Sequence, residues 1–134
     1  MDLPLDNIKS LIKSKLEAVP ETLRQDDSSR HIIINCFYNM LEEKGVMVLP
    51  AWKPPRSTRD RLDLVAVEPS TEDGIPRIKV AVVASPLVEL PMVKSLEWVE
   101  CENKIYVTFS QRTDKVKPTT LFLKEDHIHL DIFS

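Results

Sequence analysis

At 134 residues the chain has the length of one ordinary domain, and 43% apolar with 29% charged residues excludes a disordered or fibrous polymer. A net charge of −3, from 18 basic and 21 acidic residues, excludes a globally basic nucleic-acid binder but leaves room for a local patch. No apolar run approaches the roughly 20 residues of a membrane span. Met1-Asp-Leu-Pro-Leu-Asp6 has no basic region leading into an apolar one, so the expectation is a cytoplasmic chain with no secretory leader and no membrane partner.

Leu5, Ile8, Leu11, Ile12, Leu16 and Val19 recur at three- and four-residue spacing, which predicts a helix over 4–19 with one apolar face. Pro20 ends it. Asp26-Asp27-Ser28-Ser29 offers N-caps for a second helix over 28–44, with Ile33, Ile34, Phe37, Met40 and Leu41 inward and Gly45 as its left-handed stop. His31, Asn35, Tyr38, Asn39 and Glu42 form the polar stripe opposite, which reads as a solvated face. Cys36 and Cys101 both fall in helical stretches and have no ligand spacing; two buried thiols in a reducing compartment are expected.

After Gly45 the period changes from helical to strand-like. Val46–Leu49 reads as a first strand, Leu62–Val67 as a second and Arg77–Ala84 as a third. Glu68–Pro76 between the last two is dense in turn formers, so they should pair as a hairpin. The third strand is apolar at nearly every position past Lys79, the pattern of a central strand covered on both faces. A helix over 89–101 and a strand over 104–109 follow, a crossover to a parallel neighbour. Met92 and Trp98 on that helix are expected in or near the core. Thr119–Lys124 and His127–Phe133 are expected to close the chain as two short strands around Glu125-Asp126. The reading is a single α/β domain over 1–134, its helices at 4–19 and 28–44 followed by a sheet core at 46–133, with a central mixed sheet of about five strands flanked by helices.

Arg61-Leu-Asp63-Leu-Val-Ala-Val67, a turn-rich insert, and Ile78-Lys-Val-Ala-Val-Val-Ala-Ser-Pro86, followed by a helix and a strand, together resemble the core of the restriction-endonuclease-like, or PD-(D/E)xK, nucleases. The resemblance covers residues 27 to 124. It implies an aspartate on the second strand, and on the third an acid and a lysine two residues apart, which bind a divalent metal and steer a water at a phosphodiester. Asp63 matches the first acid. The acid-x-lysine position falls on Val82-Val83-Ala84, or one step earlier on Ala81-Val82-Val83. Either register is apolar, and a methyl group cannot ligate a metal. Lys79 on the third strand, with Glu42, Glu43, Lys94 and Glu97 on flanking helices, are the charges from which a relocated site would have to be built.

Lys53, Arg56, Arg59 and Arg61 cluster before the second strand, beside Trp52. Cations with an aromatic suit phosphate contact and base stacking, and this loop is the best nucleic-acid lead. His127, His129 and Asp131 alternate along the last strand and share one face. That makes them weak candidates for a transition-metal pair; the plainer reading is an exposed face, with Ile128, Leu130 and Ile132 turned inward. The only glycines are Gly45 and Gly74, which excludes glycine-rich phosphate loops and dinucleotide fingerprints. The reading is therefore a catalytically inactive nuclease-fold protein that binds or scaffolds, with nucleic acid, another protein or a second copy as partner and no cofactor. The alternatives are a divergent Mg²⁺- or Mn²⁺-dependent nuclease built on Asp63, and a structural or oligomer-forming protein.

Overall fold

The computed structural model describes residues 1–54, 61–68 and 73–134. Five strands form one sheet in the order β1 (Met47–Pro50), β2 (Leu64–Glu68), β3 (Arg77–Ser85), β4 (Asn103–Thr108) and β5 (His127–Asp131). β1, β2 and β3 pair antiparallel, whereas β3, β4 and β5 pair parallel. The switch follows from the connections, because the step from β3 to β4 is carried by a helix and tight turns cannot join parallel strands.

Alternation along the strands divides the core in two. Leu64, Ala66, Val80, Val82, Ala84, Ile105, Val107, Leu130 and Ile132 face α1 (Leu5–Ala18) and α2 (Asp26–Glu43), which add Ile8, Ile12, Leu16, Ile33, Phe37 and Leu41. Val65, Ala81, Val83 and Tyr106 face the other way, onto Val93 and Leu96 of α3 (Leu90–Glu97). Every residue of β3 from Val80 onward is buried, as a strand with both faces covered should be. Gly45 has φ +82° at the end of α2, the left-handed stop expected of it.

The stretch Thr119–Lys124 is not a strand. Thr119 ends α4 (Thr113–Thr119), and Thr120–Phe122 forms a 3₁₀ turn. The β-branched pair followed by Leu121-Phe122-Leu123 imitates a strand, but hydroxyl back-bonding closes helical turns instead: Thr119 Oγ1 donates to the Val116 carbonyl at 2.6 Å and Thr120 Oγ1 to that of Lys117 at 2.7 Å. Phe122 and Leu123 pack over the second core while Leu121 stays 76% exposed. The last strand then enters parallel to β4 rather than as half of a hairpin.

Two readings of single residues also change. The third helix ends at Glu97, so Trp98 is its C-cap and is 55% exposed instead of core; Met92 is half-buried against the second core, as expected. The face carrying His127, His129 and Asp131 is not freely exposed: all three residues are half-buried, and α4 residues Thr113, Val116 and Lys117 line a cavity together with His129 and Asp131.

A buried polar network pins the loop between β3 and α3. The Tyr106 hydroxyl meets Ser85 Oγ, accepts the Glu89 backbone N–H at 2.9 Å and donates to the Leu87 carbonyl at 3.3 Å. Tyr106→Phe should therefore lower unfolding free energy by about 1–3 kcal/mol, the cost of stranding buried partners, measured by urea denaturation. A loss within error would mean that Ser85 alone holds the loop.

Candidate functional site

Asp63 stands one residue before β2, at the end of the sheet where β3 finishes. Its backbone is locked on both sides: its N–H donates to the Val82 carbonyl at 3.1 Å and its carbonyl accepts the Ala51 N–H at 2.9 Å. Ala51 holds a left-handed φ of 53°, a strained conformation for a residue with a Cβ, so backbone strain is stored beside Asp63. The Asp63 carboxylate accepts the backbone N–H of Ala84 through Oδ2 at 2.8 Å. Burial raises the carboxyl above its ordinary value, partly offset by that hydrogen bond and by Arg30, Arg61 and His31.

The partners that hydrolysis would need are not beside it. Leu64 pairs with Val82 and the Asp63 carboxylate reaches the Ala84 N–H. In either register of the resembled motif, Val82 with Ala84 or Ala81 with Val83, the side chains at the acid and lysine positions are apolar and wholly buried, the first pair in the core beneath α2 and the second in the core beneath α3. One carboxylate among apolar neighbours and cationic side chains is a poor Mg²⁺ ligand set, since that ion takes hard oxygen donors. Among the described residues no three His, Cys, Asp or Glu side chains are grouped as a metal site would require.

The charges from which a relocated site would be built lie elsewhere. Lys79 pairs with Glu68 at 3.3 Å and Glu102 at 3.9 Å. It lies five residues back along β3 from Ala84, roughly 17 Å at strand rise. Glu97 pairs with Lys124 at 3.8 Å, and Glu42 takes the Tyr38 hydroxyl. Glu43 is exposed near the end of α2 and Lys94 sits on α3, over the other face of the sheet.

Cations do gather at the Asp63 end. Arg61 and Lys53 are exposed; Arg56 and Arg59 lie outside the described residues. Arg30 of α2 approaches Asp27 only at 3.9 Å, and its Nε is buried without a partner among the described residues. Arg30 was not legible as a member of this group, because 33 positions separate it from Asp63 and only the packing of α2 on β3 brings the two together. Trp52 is half-buried against the second core and its carbonyl accepts the Leu62 N–H at 2.8 Å, so its ring is less free to stack than its loop position implied. At the same end of the sheet a cavity of about 380 Å³ opens beyond β3 and β4, lined by Gln25, Asp26, Ser29, Pro86, Ser110 and Gln111 among others.

The histidine strand is a hydrogen-bonded structure. Thr108 Oγ1 donates to Asp131 Oδ1 at 3.2 Å and meets His129 Nε2 at 2.8 Å. With the Thr108 proton on Asp131, His129 donates through Nε2. His127 Nδ1 accepts the Lys124 N–H at 3.2 Å. The two rings thus serve different partners and are not joined as a ligand pair.

No helix among the described residues is long and apolar enough to cross a membrane. The chain matches no family model, no curated protein and no solved structure.

Proposed function

We propose that the chain is a catalytically silent member of the restriction-endonuclease-like fold that works as a binding or scaffold module, with nucleic acid its first partner to test. The observation that supports the reading is that Asp63 lies beside a stretch of β3, Ala81 to Ala84, in which every side chain is apolar and wholly buried, so that either register of the motif lacks its acid and its lysine. Supporting it are the antiparallel β2–β3 hairpin and the helical crossover to a parallel β4, the order of elements that the resemblance implies. The cations around Asp63, with Arg61 and Lys53 exposed, suit a phosphate backbone. The cavity beyond the carboxyl ends of β3 and β4 lies where open α/β sheets commonly receive ligands.

The test is a calorimetric titration of Mn²⁺ into the native chain and into Asp63→Ala, beside a cleavage assay on single- and double-stranded DNA. Neither protein should bind Mn²⁺ stoichiometrically or cut. Binding and cleavage by the native chain, both lost in Asp63→Ala, would replace this reading with a divergent nuclease. Duplex binding that weakens as salt rises would identify the partner as nucleic acid; its absence would move the search to proteins and to a second copy.

A further inference from the structure

β5 is an edge strand, and its first residue closes the turn that leads into it. The His127 N–H donates to the Lys124 carbonyl at 3.0 Å, and the Lys124 N–H donates to His127 Nδ1 at 3.2 Å. The same two residues are therefore tied twice, once through backbone alone and once through the imidazole. An Nδ1 that accepts a hydrogen bond carries no proton, so the neutral ring is protonated on Nε2. That Nε2 is buried with no hydrogen-bond partner among the described residues, 3.8 Å from Asp126 Oδ1, and the His127 side chain is 0% exposed.

We propose that the turn from Lys124 to His127 is an acid-released latch, closed by the Lys124 N–H on His127 Nδ1 and opened when that nitrogen takes a proton. An imidazolium has donors at both nitrogens. Protonation sets a ring N–H against the Lys124 N–H, and the bond between them cannot persist. The charged groups facing the ring come from every element around it. Asp126 lies in the turn itself, with Lys104 of β4 3.4 Å from its Oδ2. Glu97 of α3 pairs with Lys124, and the Cys101 thiol is within electrostatic reach of Lys104 and Asp126. Burial, the largest influence, disfavours the cation; Asp126 and Glu97 favour it, while Lys104 and Lys124 oppose it. The net effect places His127 below the ordinary histidine value.

The sign of the linkage follows. Between the lowered folded value and the unfolded value, about 6.5, the unfolded turn binds more protons than the closed one. The latch is at full strength above that window and is lost as pH falls through the folded value. Its release loosens the 3₁₀ turn Thr120–Phe122, where Leu121 already projects into solvent and Phe122 covers the second core.

The measurement must be residue-specific, because His129 is also held below its ordinary value, chiefly by burial. Amide exchange read by NMR, corrected for intrinsic rate at one pH above and one pH a unit below the His127 midpoint that the ring's own NMR titration gives, reports the protection of Lys124 relative to Val82. In the native chain the Lys124 protection should fall about tenfold between the two, as expected when a titrating partner is crossed by a pH unit. In His127→Asn a carboxamide oxygen can accept the same N–H without titrating, so protection should be equal at both pH values. Constant protection in the native chain overturns the proposal, as does an equal loss in His127→Asn, which would assign the effect to His129 or the carboxylates. Should His127→Asn not fold, the ring ¹⁵N shifts of the native chain decide: an Nδ1–H tautomer at neutral pH excludes the latch.

Discussion

Val82→Glu should destabilise the chain by about 3–5 kcal/mol at neutral pH, the range for an uncompensated buried charge. Val82 is wholly buried, and its side chain lies in the core shared with Ile33, Phe37 and Leu41 of α2. A carboxyl installed there has no hydrogen-bond donor assigned to it, and the extra atoms add overpacking. Set against a typical 5–15 kcal/mol of total stability, one substitution removes a large share. Burial would raise the introduced carboxyl, so the deficit relative to the native chain should shrink as pH falls toward the ordinary glutamate value, about 4.3. Urea denaturation at two pH values measures both the size and the sign.

The same position also tests the proposed likeness to the nuclease fold. Adding Ala84→Lys would build an acid-x-lysine pair in one of the two registers open to it, with the Asp63 carboxylate held by the Ala84 N–H nearby. Both new charges would enter the layer beneath α2, which is filled by apolar side chains. The double variant should therefore fold poorly and bind no Mn²⁺. A folded double variant whose Mn²⁺ binding required Asp63 would show instead that this end of the sheet can hold a metal once ligands are supplied.

Much of the frame was legible because it depends on local period. α1 and α2 follow from three- and four-residue apolar spacing and are stopped by a proline and by a glycine at positive φ. β3 follows from an apolar run too dense for a one-sided strand. The terminal region was misread because Thr119-Thr120-Leu121-Phe122-Leu123 satisfies strand composition, while its conformation is decided by threonine hydroxyls turning back on carbonyls. The histidines were misread for a tertiary reason: alternation reveals that His127, His129 and Asp131 share a face, but only the packing around it decides that the face is half-buried. At the candidate site, Asp63 could be singled out beside its strand, whereas Arg30 and His31 converge on it only after α2 docks.

Asp63→Ala should be less stable than Asp63→Asn. Alanine also removes the charge but strands the Ala84 N–H, which should cost about 1–3 kcal/mol relative to asparagine. Asparagine keeps an acceptor for that N–H and removes the charge. Because burial, the largest influence, holds the Asp63 carboxyl above its ordinary value against the pull of the Ala84 N–H, Arg30, Arg61 and His31, the native state binds the proton more tightly than the unfolded chain. Its contribution is thus fully present below the unfolded value, about 3.9, and is lost as pH rises through the folded value. At pH 7 the ionised carboxylate opposes folding, so Asp63→Asn should be as stable as the native chain or more so. The gap should close as the solution is acidified, which thermal or urea unfolding at neutral and mildly acid pH would show. A neutral-pH loss in Asp63→Asn as large as in Asp63→Ala would mean that the negative charge itself is needed, through Arg30 and Arg61, and that the cationic rim is organised by Asp63. The opposite result would mark Asp63 as a carboxylate kept against the interest of stability, the usual signature of a group retained for what it contacts rather than for what it supports.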